Sequence, residues 1–468
     1  MGDDMTGNPP ADDFMSGVRR ACTGDPAAPL VLLGNIEVER DWAHGEPGVP
    51  AVGDNAPSPV VARMDEFALL LGGAGDHVVL KSAPDPGYLD HLRGIGLDLP
   101  HVQVTDRCRP GVPVTEEALD SPGLLARLRP LGAAGVRLLP HGISAAEEEL
   151  GRRAGLAAAL PPAALAKRVN SKIYSRRVTA ELGVPLAEGW ECESVAEFEA
   201  VAEKAAARIA EGAVVGVKDA YGVSGKGIVV ADRARRLEQV VRMVRRRAER
   251  TGDDRLAVVV EVWADKAADL NYHLTVGRDG SVRFDFVKEA LTAGGVHKGH
   301  RFPARLTPEQ HAVVADTARL LGRRLAADGY HGPVGVDALV RTDGSLLPVL
   351  EINARNNMST YQTRLQERCV PAGAVVVARQ YDVRLPGPVP FDRLAAALGP
   401  LLFDRAAGRG ALPDNHATVN AAFAGADAPP AAPADGRFYF LLVAPGQAEA
   451  DALDAEVAAR LTEFGDVR

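Results

Sequence analysis

One stretch constrains this chain more than any other: residues 332–361, G-P-V-G-V-D-A-L-V-R-T-D-G-S-L-L-P-V-L-E-I-N-A-R-N-N-M-S-T-Y. It reads as two mostly apolar strands joined by a tight connection at Thr342–Ser345. Carboxylates interrupt the apolar runs at Asp337 and Glu351, and Asn353 follows on the second strand. An acid inside a buried strand is costly unless it is paired or coordinates a metal. Two acids and an amide therefore call for a cation, whereas the bland alternative is a solvent-facing sheet edge with scattered acids. Glu351 and Asn353 are two apart and share a strand face. A two-residue turn at Asp343-Gly344 would place Asp337 on the opposite face. A three-residue loop, Thr342 to Gly344, with Gly344 left-handed, places it on the same face, and this is the expected geometry. Hard oxygen ligands suit Mg²⁺, which keeps waters and shares its coordination sphere with phosphates.

The rest of the chain has to supply what such a cation would serve. Its 468 residues suffice for about three domains. Net charge is −9 with no long basic run, which argues against a nucleic-acid partner. Cys22, Cys108, Cys192 and Cys369 are far apart and form no C-x-x-C, so neither a zinc site nor a disulfide framework is expected. No apolar run reaches transmembrane length. The acidic N-terminus lacks a signal pattern, and a cytoplasmic protein without a membrane partner is expected.

Residues 1–28 are polar, with Gly and Pro, and are expected to be mobile. Residues 29–165 read as an N-terminal α/β unit, with strands at Pro29–Asn35, Val78–Leu80, His101–Val104 and Val136–Pro140. Gly34-Asn35 is not a dinucleotide fingerprint, because no G-x-G-x-x-G follows. Residues 166–375 form a central unit. It begins with a helix around Lys172 that ends at Gly183, with Pro185 beyond. Ser194 and Glu197 make a capping box for the next helix. A strand then carries Lys218 into a glycine-rich loop, Ala220 to Gly227, whose N–H groups could converge on phosphate oxygens. It is not a Walker loop, since Gly227 follows Gly225-Lys226. Glu261 sits inside the buried strand Leu256–Trp263, and Asp269, Asn271 and His273 alternate along the next. Arginines dominate 233–250, which reads as a solvated helix. Residues 290–302 read as a polar loop holding His297, Lys298, His300 and Arg301, and Thr307 with Gln310 starts a helix. Beyond a Pro/Ala linker near Ala428–Ala434, residues 380–468 read as a small C-terminal α/β unit.

These parts together resemble the ATP-grasp superfamily over roughly residues 165–370. They are a lysine starting a helix that ends G-V-P, a strand lysine before a glycine-rich loop, a strand ending in Glu, and the D…E-x-N hairpin, in the family's order. The resemblance implies an α/β ATP-grasp fold between an N-terminal α/β pre-ATP-grasp domain and a small C-terminal α/β domain. It implies ATP and Mg²⁺, as two ions, for cofactors. Lys172 and Lys218 would contact nucleotide phosphates, with Tyr221, Gly222, Ser224, Gly225 and Gly227 in the covering loop. Glu261 and the backbone of Val262 and Trp263 would hold adenine, Asp269 the ribose, and Asp337, Glu351 and Asn353 two Mg²⁺ ions. Asp219 and Ala354 stand where the family often has Pro. The L-G-N of the first domain and E-I-N-A-R-N-N-M-S-T further resemble the pheganomycin-type peptide ligases, in which an amino acid's carboxylate is joined to the N-terminus of a peptide.

The resemblance therefore implies an ATP-dependent carboxylate–amine ligase working through an acylphosphate. Its partners would be a small amino acid-type carboxylate and an amine or peptide acceptor, and a homodimer fits the layout. An ATP-grasp carboxylase or a ligase of another acid is the alternative, and a nucleotide-binding regulatory protein the non-enzymatic one. Lysines, glycine N–H groups and metal ligands without a Ser-His-Asp set suit phosphoryl transfer, which needs positioning and charge neutralisation. Arg301 and Arg355, cations on either side of the hairpin, are the candidates for binding the acid and stabilising an oxyanion. A salt bridge to a nearby acid is the structural alternative for Arg355. Ser359 and His300 are candidate substrate contacts, and 290–302 is a candidate lid.

Overall fold

The computed structural model describes residues 13–49, 58–222, 227–293, 296–425 and 432–467; the expected loop residues Ser224 and Gly225 lie outside them, as does the side chain of His297. The described residues form three sheets.

The first is a five-stranded parallel sheet in the order β3-β2-β1-β4-β5, built from β1 (Leu30–Leu33), β2 (His77–Leu80), β3 (His101–Val104), β4 (Arg137–Pro140) and β5 (Ala157–Ala158). Its central strand, L-V-L-L, is buried throughout, as an unbroken apolar run in a parallel sheet covered on both faces requires.

The second sheet is antiparallel, in the order β6-β9-β7-β8, from β6 (Gly189–Ser194), β7 (Val215–Asp219), β8 (Ile228–Ala231) and β9 (Arg255–Val262). The helix Val195–Ala210 covers it. Its capping box is formed, with Ser194 Oγ accepting from Glu197 N at 3.2 Å and Glu197 Oε2 accepting from Ser194 N at 3.2 Å. It buries Phe198, Val201, Ala202, Ala205 and Ile209, the inward stripe of an amphipathic helix. The arginine-dense helix Ala234–Thr251 buries only Leu237, Val240 and Val244, and its arginines are exposed as expected except Arg247, which turns inward to donate to Arg255 O at 2.6 Å.

The third sheet has the order β14-β13-β10-β11-β12-β15-β17-β16, with β18 pairing β15. Its strands are β10 (Lys266–Val276), β11 (Val282–Ala293), β12 (Val296–Phe302), β13 (Gly332–Arg341), β14 (Leu346–Asn353), β15 (Val375–Leu385), β16 (Gly410–Asn415), β17 (Ala434–Ala444) and β18 (Asp466–Val467). The helix Pro308–Ala327 lies on it, capped by Thr307 Oγ1 on Gln310 N at 3.2 Å, and buries Val314, Ala318, Leu321 and Leu325. The C-terminal α/β unit continues this sheet through β15, β17 and β16. Leu441 and Val443 share one core with Phe67 and Leu69 of the first unit.

Two expectations are corrected here. Within 1–28, the described residues include a helix, Phe14–Thr23, capped by Asp13 Oδ1 on Ser16 N at 2.7 Å. Phe14, Met15, Val18 and Cys22 are buried, and the Phe14 ring lies 5.6 Å from His273 and 5.9 Å from Phe286. The sequence looked polar overall, but its few apolar residues recur at helical spacing and dock on the third sheet. Residues 290–302 are not a polar loop either. Of these, 290–293 and 296–302 belong to the β11–β12 pair, and Arg301 and Phe302 ladder onto Val377 and Val376 of β15. No helix among the described residues is long and apolar enough to cross a membrane.

Candidate active site

The β13–β14 hairpin turns through three residues. Arg341 N donates to Ser345 O at 2.8 Å, Gly344 N to Arg341 O at 2.9 Å, and Gly344 has φ +83°. A left-handed residue there is strained for anything with a Cβ, which explains the glycine. A register shift between Asp337 and Leu339 then sets Asp337 directly opposite Glu351, and Gly335 opposite Asn353. The two carboxylates and the amide therefore share one face, as the loop argument required.

Neighbouring strands hold them there. Asn271 on β10 pairs with Asp337 across the sheet. Its Nδ2 donates to Asp337 Oδ1 at 2.8 Å, and Asn353 Nδ2 donates to Asp337 Oδ2 at 3.1 Å. Burial, reinforced by the charge of Glu351, pushes the Asp337 carboxyl up to about 6. Lys172 comes from the start of the helix Lys172–Glu181, and its Nζ donates to Glu351 Oε1 at 2.7 Å and to Gly222 O at 3.0 Å. Burial alone would lower the Lys172 pKa, but Glu351, Glu39 and Asp337 hold it above its ordinary value. Arg355 donates to Asn353 Oδ1 at 2.9 Å and pairs with Glu39 from the first unit. The salt-bridge alternative for Arg355 is thus realised, with an acid 316 residues away.

These groups line a cavity of about 340 Å³ that includes Lys172, Gly222, Asp337, Glu351, Asn353 and Arg355. Asp269 and His300 also reach it, as do Ile36, Glu39 and His141 from the first unit. Among the described residues no group of three or more His, Cys, Asp or Glu is arranged for a metal. The donors here are two opposed carboxylates and an amide. All are hard oxygen ligands, and their mutual repulsion is the cause of part of the raised Asp337 pKa, so the set fits a hard divalent cation.

A second cluster lies on the four-stranded sheet. Lys218 Nζ pairs with Glu261 Oε2 and sits 5.5 Å from the Trp263 ring centroid, while Arg176 Nη1 donates to Glu261 Oε1 at 3.1 Å. Lys218 stands opposite Ile228, which lines the cavity, so β7 and β8 link the two clusters. The backbone N–H groups expected at the hinge are already used. Val262 N donates to Glu188 O at 2.8 Å and Trp263 N to Val214 O at 2.7 Å, because the chain extends its sheet pairing through both residues. Asp269 accepts from Lys266 Nζ and Thr292 Oγ1, both at 2.6 Å. Gly227 has φ +75°, and a Cβ there would stand 2.5 Å from Asp219 Oδ2.

Besides Gly227 and the second cluster of Lys218, Glu261, Val262 and Trp263, the expected contacts Arg301, Ser359 and Tyr221 are not among the residues lining the cavity. Arg301 follows His300 on β12 and therefore points to the other face, where Nε donates to Gln447 Oε1 at 2.5 Å. Ser359 is fully buried behind the cavity wall, its Oγ within hydrogen-bond reach of Asn271 Oδ1 at 2.8 Å and Asn357 Oδ1 at 2.6 Å, one of which its single proton serves. Tyr221 packs with Ile173, Ala220 and Val259, with Lys167 Nζ 5.3 Å from its ring centroid. Conversely, sequence reasoning assigned no role to Asn271, Arg176, Glu39 or His141. The alternation Asp269-Asn271-His273 was a usable signal for Asn271. Glu39 and His141 carried none, since they enter from the distant first unit.

Comparison with known proteins agrees with this architecture. A family model described as the pre-ATP-grasp domain matches residues 64–156. The chain is 25% identical over 313 residues to a [butirosin acyl-carrier protein]–L-glutamate ligase of Niallia circulans, covering 67% of this chain and 68% of that protein. It is 28% identical over 341 residues to an L-propargylglycine–L-glutamate ligase of Streptantibioticus cattleyicolor, covering 66% and 68%. The structure of an L-amino acid ligase from Bacillus licheniformis superposes with a TM-score of 0.51 at 16% identity, covering 92% of this chain and 97% of that one, and so shares its fold. The chain therefore contains a pre-ATP-grasp domain at residues 64–156, shares the fold of an L-amino acid ligase, and is similar over about two thirds of its length to two proteins named as L-glutamate ligases.

Proposed function

We propose that the chain joins an amino acid-type carboxylate to an amine or peptide N-terminus, with ATP consumed to ADP and phosphate through an acylphosphate. The observation that carries this reading is the Asp337–Glu351 pair, opposed across one hairpin, with Lys172 on Glu351 and Arg355 on Asn353 in a single cavity. Asp337, Glu351 and Asn353 would hold Mg²⁺, in all two ions, which supplies charge neutralisation at the phosphoryl oxygens. Lys172 and Lys218 bind phosphate oxygens, and the glycine-rich stretch 222–227 is assigned to the same phosphates. Arg355, already in the cavity wall, orients the carboxylate. His300, lining the same cavity, borders the substrate. Asp269, which lines the cavity, would take a ribose hydroxyl. The reading takes residues 29–165 as the pre-ATP-grasp domain, 166–375 as the catalytic core and 380–468 as the C-terminal unit, and places the enzyme in the cytoplasm.

Both named relatives carry L-glutamate in their names, which supports testing L-glutamate first. The experiment is a screen for ATP-dependent phosphate release. L-glutamate and the other common amino acids are supplied as carboxylates, each paired with amines, short peptides or a carrier protein. Phosphate release that needs both partners, with an amide product by mass spectrometry, is the expected result. Phosphate release needing bicarbonate instead of an amine would favour a carboxylase.

A further inference from the structure

The cavity at Asp337 is not the largest among the described residues. A cleft of about 620 Å³ lies on the first unit, within the size range of small-molecule sites. The segment Asn35–Ala43 is the wall between the two: Ile36 and Glu39 line the active-site cavity, while Glu37, Val38 and Arg40 line the cleft. The cleft opens beyond the carboxyl ends of β1 and β4. Chain order reverses there, with β2 and β3 on one side of β1 and β5 on the far side of β4. Open α/β sheets hold ligands at such switch points. Asn35 ties the crevice together, donating to Gly142 O and accepting from His141 N, both at 2.8 Å.

Glu37 is set into this cleft with its side chain buried, and its Oε1 has no hydrogen-bond partner among the described residues. A buried acceptor left without a donor is destabilising until something supplies one. Burial pushes the Glu37 carboxyl up to about 7, with Asp65 adding to the rise and Arg40 and Lys81 opposing it. Of the cleft's other acids, Glu116 is exposed to solvent, and two are satisfied within the protein. Glu147 accepts from Thr115 Oγ1 at 2.6 Å and from Ser144 N at 2.7 Å, and Asp41 accepts from Ser144 Oγ at 2.9 Å. Val38 and Trp42 give the cleft apolar walls, whereas Arg40 is an exposed cation at its mouth, with the exposed imidazole of His44 near it on the same wall. The missing partner at depth is a hydrogen-bond donor, preferably cationic; the missing partner at the mouth is an anion.

We propose that this cleft binds an amino acid-type zwitterion, with its ammonium group on Glu37 and its carboxylate toward Arg40. The site is separate from the ligase cavity. Such a molecule is either the acceptor amine, held before transfer, or an effector that is not consumed; the recognition chemistry is the same.

The test uses the full chain. Each of the twenty common L-amino acids, its N-acetyl form and its methyl ester are screened by thermal shift at pH 7.5, and hits are titrated by calorimetry. At least one free amino acid should raise Tm, and its N-acetyl form should not. Glu37→Gln should weaken that Kd at least tenfold. Ala164→Trp, on the exposed face of the helix Ala163–Val169 at the cleft wall, should do the same by filling the mouth. Absence of a shift with every amino acid overturns the proposal, and so does binding that survives both variants unchanged. Mass spectrometry of a complete reaction separates the sources: incorporation of the bound amino acid marks an acceptor, recovery unchanged an effector, and either fate keeps the site.

Discussion

Glu66 fastens the first unit to the end of β16. It lies in the helical turn segment Val61–Leu70, and its Oε2 accepts from His416 N and Ala417 N, both at 2.7 Å. The side chain is 2% exposed. Burial raises its pKa from 4.5 to about 7, even though the two backbone N–H groups and Arg63 pull the other way. A carboxyl whose folded pKa is raised binds its proton more tightly in the native state. Its contribution is therefore full below pH 4.5 and is lost as pH rises through about 7. At about 1.4 kcal/mol per pH unit, the gap amounts to about 3 kcal/mol. Glu66→Gln keeps an acceptor oxygen for both N–H groups and removes the titration. If the chain unfolds as one unit, with an unfolding entropy of about 1 kcal/mol/K for its length, this corresponds to roughly 3 °C. The assay is thermal unfolding of both proteins from pH 4.5 to pH 8.5. The Tm of the wild type relative to Glu66→Gln should fall by about that much. Parallel curves, or a difference that moves the other way, would refute the reasoning.

Three further substitutions bear on the architecture and the cavity. Phe14→Ala removes a buried ring from His273 and Phe286, so a loss of about 3–5 kcal/mol is expected by denaturant unfolding; a neutral result would return residues 14–23 to a dispensable tail. Ser359→Ala removes the buried hydroxyl that serves Asn271 or Asn357. It should cost about 1–2 kcal/mol and lower kcat less than Asn271→Ala in side-by-side turnover assays, because Ser359 meets the cavity only through Asn271. Glu39→Gln releases Arg355 from its ion pair. If Arg355 orients the carboxylate, the KM for that substrate should fall, and an unchanged KM removes Arg355 from that role.

The hairpin was legible because its signal is local. Buried acids at 337 and 351 and a glycine at 344 fix the face by periodicity and turn length alone, and the observed register agrees. The capping boxes at Ser194 and Thr307 were equally local. The readings that failed depended on tertiary partners. Residues 290–302 looked polar, yet β15 supplies a ladder for β12. The strand parity that brings His300 into the cavity sends Arg301 out, and the sequence offered two adjacent candidates without saying which face was inward. Ser359 was placed at the substrate by its nearness to Asn353 in the chain, whereas the turn after Asn357 buries it. Glu39 illustrates the limit most clearly, since nothing near residue 39 announces an ion pair with residue 355.

The most direct test of the central claim is hydroxamate formation. The protein is incubated with ATP, Mg²⁺, hydroxylamine and L-glutamate or the acid found in the screen, and hydroxamate, ADP, phosphate, AMP and pyrophosphate are quantified together. The account predicts hydroxamate with matching ADP and phosphate, and none from Asp337→Ala or Glu351→Ala proteins that remain folded. AMP and pyrophosphate in place of ADP, or near-normal turnover in both variants, would contradict it.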